Sequence, residues 1–520
     1  LTEKEEATGL LAAAAPKQGV VLWRRDWSGS TEERLLWSPI GPRPQEVLKS
    51  LDFVTARGEI DTAFFCVQSA SPAQDITVTL APLASAAGPL KEQRLRLLVM
   101  GQAPEVPITP PKTYAPVDRA KRGPFFLLPL DKKPAFRLES IQPATLWVQF
   151  DARGLAPGAY KSRIALADGK GQELASLPIT AVVEPILMPN PRLVALRTWG
   201  GSIGFDPRLA REMARQACDA GVISYPDFTK VRLKGTDVTL LQATRAPQQY
   251  LRGKTPLPAL DFREMWNDAL DLYAAHGITH LTLKDVRTGG VWANAVTGLE
   301  CDETQPFEEW PPAWRDAWIN YYRQLTAYLR ERGFGMAYPA WTDEPSMDEI
   351  QKSYIPRAKA YVAAGMGPGS TWTTAGWMSP QMANVIVPWT RCFSMYQYGY
   401  PNLVKFMREG SVQPGEGSIF GFTRGGTGLA VRFPHNSSRI QGWWVIHQGP
   451  PASFITTGPI WKGWLYYVDF TGQQWFRLGG VQGERLLAYG SSDIKDLSAD
   501  MLASSDWEGA RDGIDDANLA

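Results

Sequence analysis

The chain has 520 residues, of which 44% are hydrophobic and 21% are charged. This composition is typical of a folded globular protein, and the length predicts more than one domain. Its 54 basic and 53 acidic side chains leave a net charge of +1, which gives no reason to expect a nucleic acid or an anionic membrane as partner. The chain also lacks an apolar run of about 18 residues, so we expect no membrane span.

The first part of the chain has the pattern of β-structure. Short segments rich in β-branched and aromatic residues, beginning with Gly19–Trp23, alternate with turn-rich stretches. Pro157-Gly158 marks one such turn, because proline presets one backbone angle and glycine permits the next. The spacing predicts an antiparallel β-sandwich over residues 1–188, which ends where prolines crowd the sequence around Pro189.

Over residues 189–480 the patterns of helices and strands alternate, as in chains that form a parallel sheet. The clearest helix covers residues 312–332, where apolar side chains recur with helical spacing, and Gly333 ends it. A strand follows at Phe334–Ala340. The chain is therefore predicted to be a multidomain β plus α/β protein: the antiparallel β-sandwich, a (β/α)8 TIM-like barrel, and a short C-terminal extension, 481–520, with a helix that packs on the barrel.

The strongest chemical signal is the adjacent pair Asp343-Glu344, directly after Trp341. Catalytic groups of such barrels follow the carboxyl ends of strands. Two neighbouring carboxyl groups push their pKa values apart, so that one stays protonated as an acid. Trp341 is a candidate substrate contact, because indole rings stack on the apolar faces of sugars. Helix capping is the competing interpretation, since Ser346 and Glu349 have the spacing of a capping box.

Further candidate substrate contacts lie at predicted strand ends or among the 20 tryptophans of the chain. They are Asp285, Trp372, Tyr396, Tyr398, Trp464 and Asp469. For each of them, core packing or an ordinary loop position is the competing interpretation. The four histidines show no HExxH or His-x-His pattern, so we expect no metal and no cofactor. The four cysteines show no CxxC spacing. They could form zero, one or two disulfides, and four unlinked thiols, mostly buried, are the favoured interpretation.

Several segments, in chain order, resemble glycoside hydrolase family 123. They are Ala56-Arg57-Gly58-Glu59, Leu155-Ala156-Pro157-Gly158-Ala159-Tyr160, Thr342-Asp343-Glu344-Pro345, Gly463-Trp464-Leu465-Tyr466-Tyr467, and the stretch from Trp507 to Asp516. The resemblance implies a retaining β-N-acetylhexosaminidase, typically acting on N-acetylgalactosaminides, in which the substrate's own acetamide is the nucleophile. It implies that Asp343 orients the acetamide and that Glu344 acts as acid and then as base.

Two other functions are compatible with the same residues. One is a glycosidase of this fold that cleaves a non-acetylated glycan with a conventional pair of carboxylates, for which Asp285 and Asp469 are candidate partners. The other is a carbohydrate-binding protein with a degenerate barrel, against which the intact Asp343-Glu344 pair argues. In every case the expected partner is a carbohydrate, and we expect a secreted or periplasmic protein. The sequence does not indicate an oligomeric state.

Overall fold

The structure is a computed structural model of the chain. The chain divides into two compact units. The first comprises Leu1–Asn190, Gly426–Trp443 and Leu502–Ala520, and the second comprises Pro191–Gly425 and Trp444–Met501. The structure describes residues 3–14, 19–25, 41–102, 125–131, 134–188, 196–198, 220–224, 229–265, 269–275, 280–283, 288–334, 336–342, 346–366, 369–374, 380–386, 389–396, 419–423, 464–466, 511–513, 515–516 and 519.

The first unit is built from two β-sheets. Its elements are α1 (Glu3–Ala14), β1 (Val20–Trp23), β2 (Leu51–Arg57), β3 (Ile60–Ser69), β4 (Gln74–Leu80), β5 (Ala84–Ser85), β6 (Gly88–Pro89), β7 (Leu95–Gln102), β8 (Phe125–Pro129), β9 (Ala135–Leu138), β10 (Ala144–Asp151), β11 (Gly158–Ala167) and β12 (Glu173–Leu187). One sheet has the order β1-β3-β10-β7-β8. The other has the order β2-β12-β11-β4-β9, with β5 and β6 beside β11. Among the described pairs, β2 and β12 run parallel and the rest are antiparallel.

A single core lies between these sheets. Alternate side chains of β2, among them Leu51 and Phe53, are buried, while the side chains between them are exposed. They share the core with Val148 of β10 and Ile164 of β11. Each large apolar side chain buried in this way stabilises the fold by roughly 1.5–3 kcal/mol. The period-two pattern of the sequence therefore becomes a sandwich held by its inner faces.

The turn between β2 and β3 is closed by a buried glutamate. The Glu59 carboxylate accepts hydrogen bonds from the Thr55 hydroxyl at 2.8 Å and from the Ala56 backbone N–H at 2.7 Å. Gly58 has a φ of +90°, a conformation that residues with a Cβ rarely adopt. Residues 56–59, one of the segments that resemble family 123, therefore have a structural role, because they form a tight turn.

A second segment that resembles family 123, residues 155–160, also closes a turn. The Tyr160 hydroxyl, on β11, donates a hydrogen bond to the Ala156 carbonyl at 2.7 Å. The Tyr160 ring is buried, so the hydroxyl links the core to the turn that precedes the strand. Such a tyrosine beside a strand corner is a recurrent feature of β-sandwiches.

The last described residues of the chain bind the sandwich. The Thr62 hydroxyl, on β3, donates to the Asp512 carboxylate at 2.8 Å, and the Arg511 guanidinium donates to the Thr62 hydroxyl at 3.3 Å. Arg511 is fully buried and forms an ion pair with Asp512. We expected the C-terminal extension, 481–520, to pack on the barrel; its described residues Arg511 and Asp512 bond the sandwich, and the packing of the rest of the extension stays a prediction. Nothing in the local sequence indicates a partner that lies 450 residues away.

The second unit contains a closed ring of eight short parallel strands, in the order β13-β14-β17-β18-β19-β20-β21-β22. A separate antiparallel pair, β15 with β16, follows β14 in the chain. The strands are β13 (Leu196–Thr198), β14 (Ala220–Ser224), β15 (Arg232–Leu233), β16 (Leu260–Asp261), β17 (His280–Leu283), β18 (Met336–Thr342), β19 (Gly369–Thr374), β20 (Thr390–Tyr396), β21 (Ile419–Thr423) and β22 (Trp464–Tyr466).

Helices separate consecutive ring strands from β14 to β20. They are α2 (Leu240–Arg245), α3 (Pro247–Tyr250), α4 (Ala269–Ala275), α5 (Thr288–Thr297), α6 (Pro312–Glu331), α7 (Met347–Glu349), α8 (Ile355–Ala363) and α9 (Pro380–Ile386). The unit is therefore α/β, as predicted. The described residues do not include helices between the remaining ring strands, so a complete (β/α)8 barrel goes beyond what the structure describes.

Candidate active site

Strand β18 leads directly to the candidate catalytic pair. The strand extends two residues further than its predicted end and includes Trp341 and Thr342. It pairs with β17 on one side and with β19 on the other, where Thr342 lies opposite Thr371. Asp343 and Glu344 follow Thr342 in the sequence and lie outside the described residues. The described part of this site therefore consists of its two flanks, the end of β18 and the helix that begins at Ser346.

The helix after the pair begins with the predicted capping box. The Ser346 hydroxyl accepts a hydrogen bond from the Glu349 backbone N–H at 3.2 Å. In return, the Glu349 carboxylate accepts one from the Ser346 backbone N–H at 2.8 Å. This second bond is the main reason why the pKa of Glu349 is lowered. Ser346 is thus the residue that caps this helix, as the spacing of Ser346 and Glu349 predicted.

A turn of π-helix, Ile350–Tyr354, joins α7 to α8 without a break. Pro356 lies in the first turn of α8, and its missing N–H and bulky ring disturb the regular α-helical bonds of the preceding turn. Ile350 and Tyr354 are buried, so the turn is anchored by its apolar side chains. Such π-helical turns are frequent near functional sites.

An ion pair fixes α8 to the segment before α6. The Arg357 guanidinium contacts the Glu303 carboxylate at 2.7 Å, with 18% and 13% of the respective side chains exposed. Arg357 also donates to the Ser353 hydroxyl at 3.0 Å. We did not predict this contact, because neither residue lies in a motif and 54 positions separate them.

The other predicted contacts fall into two groups. Trp341, Trp372 and Tyr396 lie on the consecutive strands β18, β19 and β20, and Tyr396 is the last residue of its strand. Trp464 begins β22 and pairs with Leu196. The structure therefore brings the backbones of three of these residues to neighbouring strands. Asp285, Tyr398 and Asp469 lie outside the described residues, and the binding roles of all seven remain predictions.

Many of the tryptophans pack in the core. Trp310, Trp314 and Trp318 are buried, with the ring centroids of Trp310 and Trp314 5.2 Å apart. The Trp314 indole donates to the Asn294 side chain at 2.6 Å, which joins α6 to α5. A Cβ added to Gly289 would lie 2.3 Å from the Tyr322 ring, so α5 approaches α6 closely. The aromatic richness of this region therefore reflects helix packing and does not indicate a sugar-binding wall.

Several absences apply only to the described part of the chain. Across these ranges, no group of three or more histidine, cysteine, aspartate or glutamate side chains has an arrangement that could hold a metal ion. No helix there combines the length and the apolar character that a bilayer crossing requires. Cys66 and Cys301 are free thiols, and burial raises the pKa of Cys66 to about 12, which makes that thiol unreactive.

Comparison with known structures gives a similarity over nearly the whole chain. A family 123 glycoside hydrolase from Clostridium perfringens, described for glycolipid glycan hydrolysis, superposes with a TM-score of 0.56. It is 12% identical in sequence, and the match covers 96% of this chain and 88% of that chain. At this identity the similarity is one of fold. No protein-family model matches the sequence, and no curated protein matches it.

Two further similarities are much lower. A β-glucuronidase from Bacteroides uniformis gives a TM-score of 0.26 at 10% identity, covering 80% of this chain and 44% of that chain. The CooA pilin subunit from enterotoxigenic Escherichia coli gives 0.18 at 15% identity, covering 32% of this chain and 99% of that chain. Neither score supports an argument about fold or function.

Proposed function

We propose that the protein is a glycoside hydrolase whose acid–base chemistry is carried by Asp343 and Glu344. The observation that carries this proposal is the position of the pair. It directly follows the carboxyl end of ring strand β18, and Ser346 already caps the next helix. In (β/α)8 enzymes this edge of the ring bears the catalytic groups. The fold shared with a family 123 glycoside hydrolase supports a complete (β/α)8 barrel and this reaction class.

Adjacent carboxyl groups suit a substrate-assisted reaction on a β-linked N-acetylhexosaminide. The acetamide oxygen of the substrate bonds to its anomeric carbon while the glycosidic bond breaks. Glu344 gives its proton to the departing oxygen, and Asp343 accepts a hydrogen bond from the acetamide N–H. Water then attacks the anomeric carbon and gives a proton to Glu344, while the bond from that carbon to the acetamide oxygen breaks and the acetamide is regenerated. The two displacements retain the configuration, and no nucleophile from the protein is needed.

The first experiment is hydrolysis of aryl β-N-acetylgalactosaminides and β-N-acetylglucosaminides by the wild type, Asp343→Asn and Glu344→Gln. Each substitution should lower kcat/KM by roughly a hundredfold or more. Asp348→Asn is the matched control, because its side chain is 69% exposed in the next helix and pairs with Lys352 at the surface. This control should retain the wild-type rate, and a wild-type rate in both site variants would overturn the assignment.

The leaving group separates the two roles. A dinitrophenyl leaving group departs without protonation, so Glu344→Gln should recover most of the rate of the first step on such a substrate, whereas Asp343→Asn should not. A substrate without the 2-acetamido group should not be cleaved. Cleavage of both substrate types at similar rates would instead favour the conventional two-carboxylate mechanism.

The expected location also remains a proposal. A secreted or periplasmic enzyme would meet extracellular glycans, which are the carbohydrate partners proposed for this site. Fractionation of cells that produce the full-length protein tests this location. Recovery of the protein in the cytoplasmic fraction alone would contradict it.

A further inference from the structure

We propose that Ser346 and Glu349 are positioning residues for the acid–base pair, because their reciprocal hydrogen bonds fix the far end of the connection that carries Asp343 and Glu344. This proposal rests on the glycosidase function proposed above. It adds that the capping box has a catalytic consequence beyond the stability of its helix.

The near end of the connection is fixed by the ring. β18 pairs with β17 through Leu283 and Pro339, and with β19 through Thr342 and Thr371. The register of β18 against β19 shifts between Ala340 and Thr342, which is the signature of a bulge or a local irregularity. Bulges bend a strand and redirect its side chains, and they are frequent beside active sites. The strand is therefore held on both sides, and its last residues depart from regular pairing.

The far end is fixed by the capping box. Besides the two reciprocal bonds, the Ser346 carbonyl accepts a hydrogen bond from the Ile350 N–H at 2.9 Å. Ile350 is buried, and further along the helix the Arg357–Glu303 ion pair holds α8. Ser346 is thus bonded through its N–H, its hydroxyl and its carbonyl, and the helix that it begins is anchored at two further points.

Only three residues, Asp343 to Pro345, connect these fixed ends. Each residue spans at most about 3.3–3.6 Å, and the ring of Pro345 fixes one more backbone angle. Because the connection is this short, we expect a shift of Ser346 to displace both carboxyl groups. A misplacement of about 1 Å can cost on the order of a hundredfold in rate. Loss of the cap should therefore lower kcat by more than its small effect on thermal stability would explain.

The chain contains a matched control for this test. Thr239 and Gln242 form an equivalent capping box at the start of α2. There the Thr239 N–H donates to the Gln242 side chain at 2.8 Å, and the Gln242 N–H donates to the Thr239 hydroxyl at 3.2 Å. These two distances equal those of the Ser346 box. No candidate catalytic or binding residue lies between Thr229 and Met265, the described segment that contains this second box.

The experiment measures kcat, KM and thermal unfolding of the full chain for Ser346→Ala, Ser346→Thr and Thr239→Ala. Both alanine variants should lose similar small amounts of thermal stability, since each loses one cap. Ser346→Ala should also lose about tenfold or more in kcat with KM changed by less than about twofold. Thr239→Ala should keep the wild-type kcat. Ser346→Thr keeps a capping hydroxyl and should restore most of the rate.

A second pair of variants keeps the test valid if Ser346→Ala fails to fold. Glu349→Gln retains the acceptor of the box, as Gln242 does in the other box, and should keep most of kcat. Glu349→Ala should lose kcat as Ser346→Ala does.

The outcomes distinguish this proposal from the one on which it rests. If the wild type is active, Glu344→Gln is inactive and Ser346→Ala matches Thr239→Ala in kcat, the positioning role is wrong and the proposed function stands. A change in KM alone would contradict the positioning role in the same way. A wild type that is inactive on every arylglycoside would overturn the proposed function and the positioning role together.

Discussion

The segments that resemble glycoside hydrolase family 123 have different roles in the sandwich and in the ring of strands. In the sandwich, Glu59 closes a turn, the Tyr160 hydroxyl closes another, and Arg511 bonds Thr62 on β3. In the ring unit, the corresponding segment leads out of β18, and the structural role available there, capping the next helix, belongs to Ser346. A segment that resembles a catalytic motif is therefore evidence for catalysis only where other residues perform the local structural role.

The largest expected effect on stability concerns the C-terminal contact of the sandwich unit. Arg511→Ala leaves Asp512 buried without its ion-pair partner, and we expect a loss of roughly 3–5 kcal/mol in the free energy of unfolding. Arg137→Ala is the control, since Arg137 and its partner Glu139 are both more than half exposed, and should cost less than about 1 kcal/mol. Urea denaturation measures both. Equal losses in the two variants would contradict the buried contact.

The second prediction concerns the pH dependence of stability that arises from Asp61, beside Arg511 and Asp512. Burial, then the nearby carboxylates of Asp512 and Glu59, raise the pKa of Asp61 well above its ordinary value, against the opposing charge of Arg511 and the N–H of Thr62. A raised folded-state pKa means that the folded protein holds this proton more tightly than the unfolded chain does. The contribution of Asp61 to stability is therefore greatest below its ordinary pKa and is lost as pH rises toward the folded-state pKa.

Asp61→Asn removes this dependence and imitates the protonated side chain. Its thermal midpoint relative to the wild type should therefore rise as pH increases from about 4 to 7. A constant difference between Asp61→Asn and the wild type across this range would show that Asp61 does not titrate in the folded state as described.

The smallest effect on stability is expected at the tyrosine turn. Tyr160→Phe removes only the hydroxyl that bonds the Ala156 carbonyl at 2.7 Å, and should cost about 1 kcal/mol. The midpoint of urea unfolding should fall, while kcat and KM per folded molecule should not change. A loss of kcat in this variant would break the contrast between the two units, because it would give a sandwich motif a catalytic consequence.

Local patterns predicted the elements that depend on neighbouring residues. The helix expected over residues 312–332 is α6, the capping box at Ser346 and Glu349 forms as its spacing required, and the alternating segments build two sheets. Each of these features arises from interactions within a few positions of the chain or from a repeating pattern of burial.

Contacts between distant positions were not predictable in this way. The Glu303–Arg357 pair, the parallel pairing of β2 with β12, and the bonds of Arg511 and Asp512 to Thr62 join residues that are far apart in sequence. Chain order likewise gives no indication that Arg511 and Asp512 of the C-terminal extension bond Thr62. For the candidate site, local patterns predicted the residue types and the strand that leads to them, and they indicated Ser346 only as a helix cap.

The role of Glu344 is tested by the rate of Glu344→Gln on two aryl β-N-acetylhexosaminides that differ only in the leaving group. We expect a loss of roughly a hundredfold or more with a poor leaving group, and recovery of most of the first-step rate with a dinitrophenyl group, because Glu344 supplies the proton that only the poor leaving group needs. If Glu344→Gln keeps the wild-type activity on both substrates, Glu344 is not the acid of the reaction.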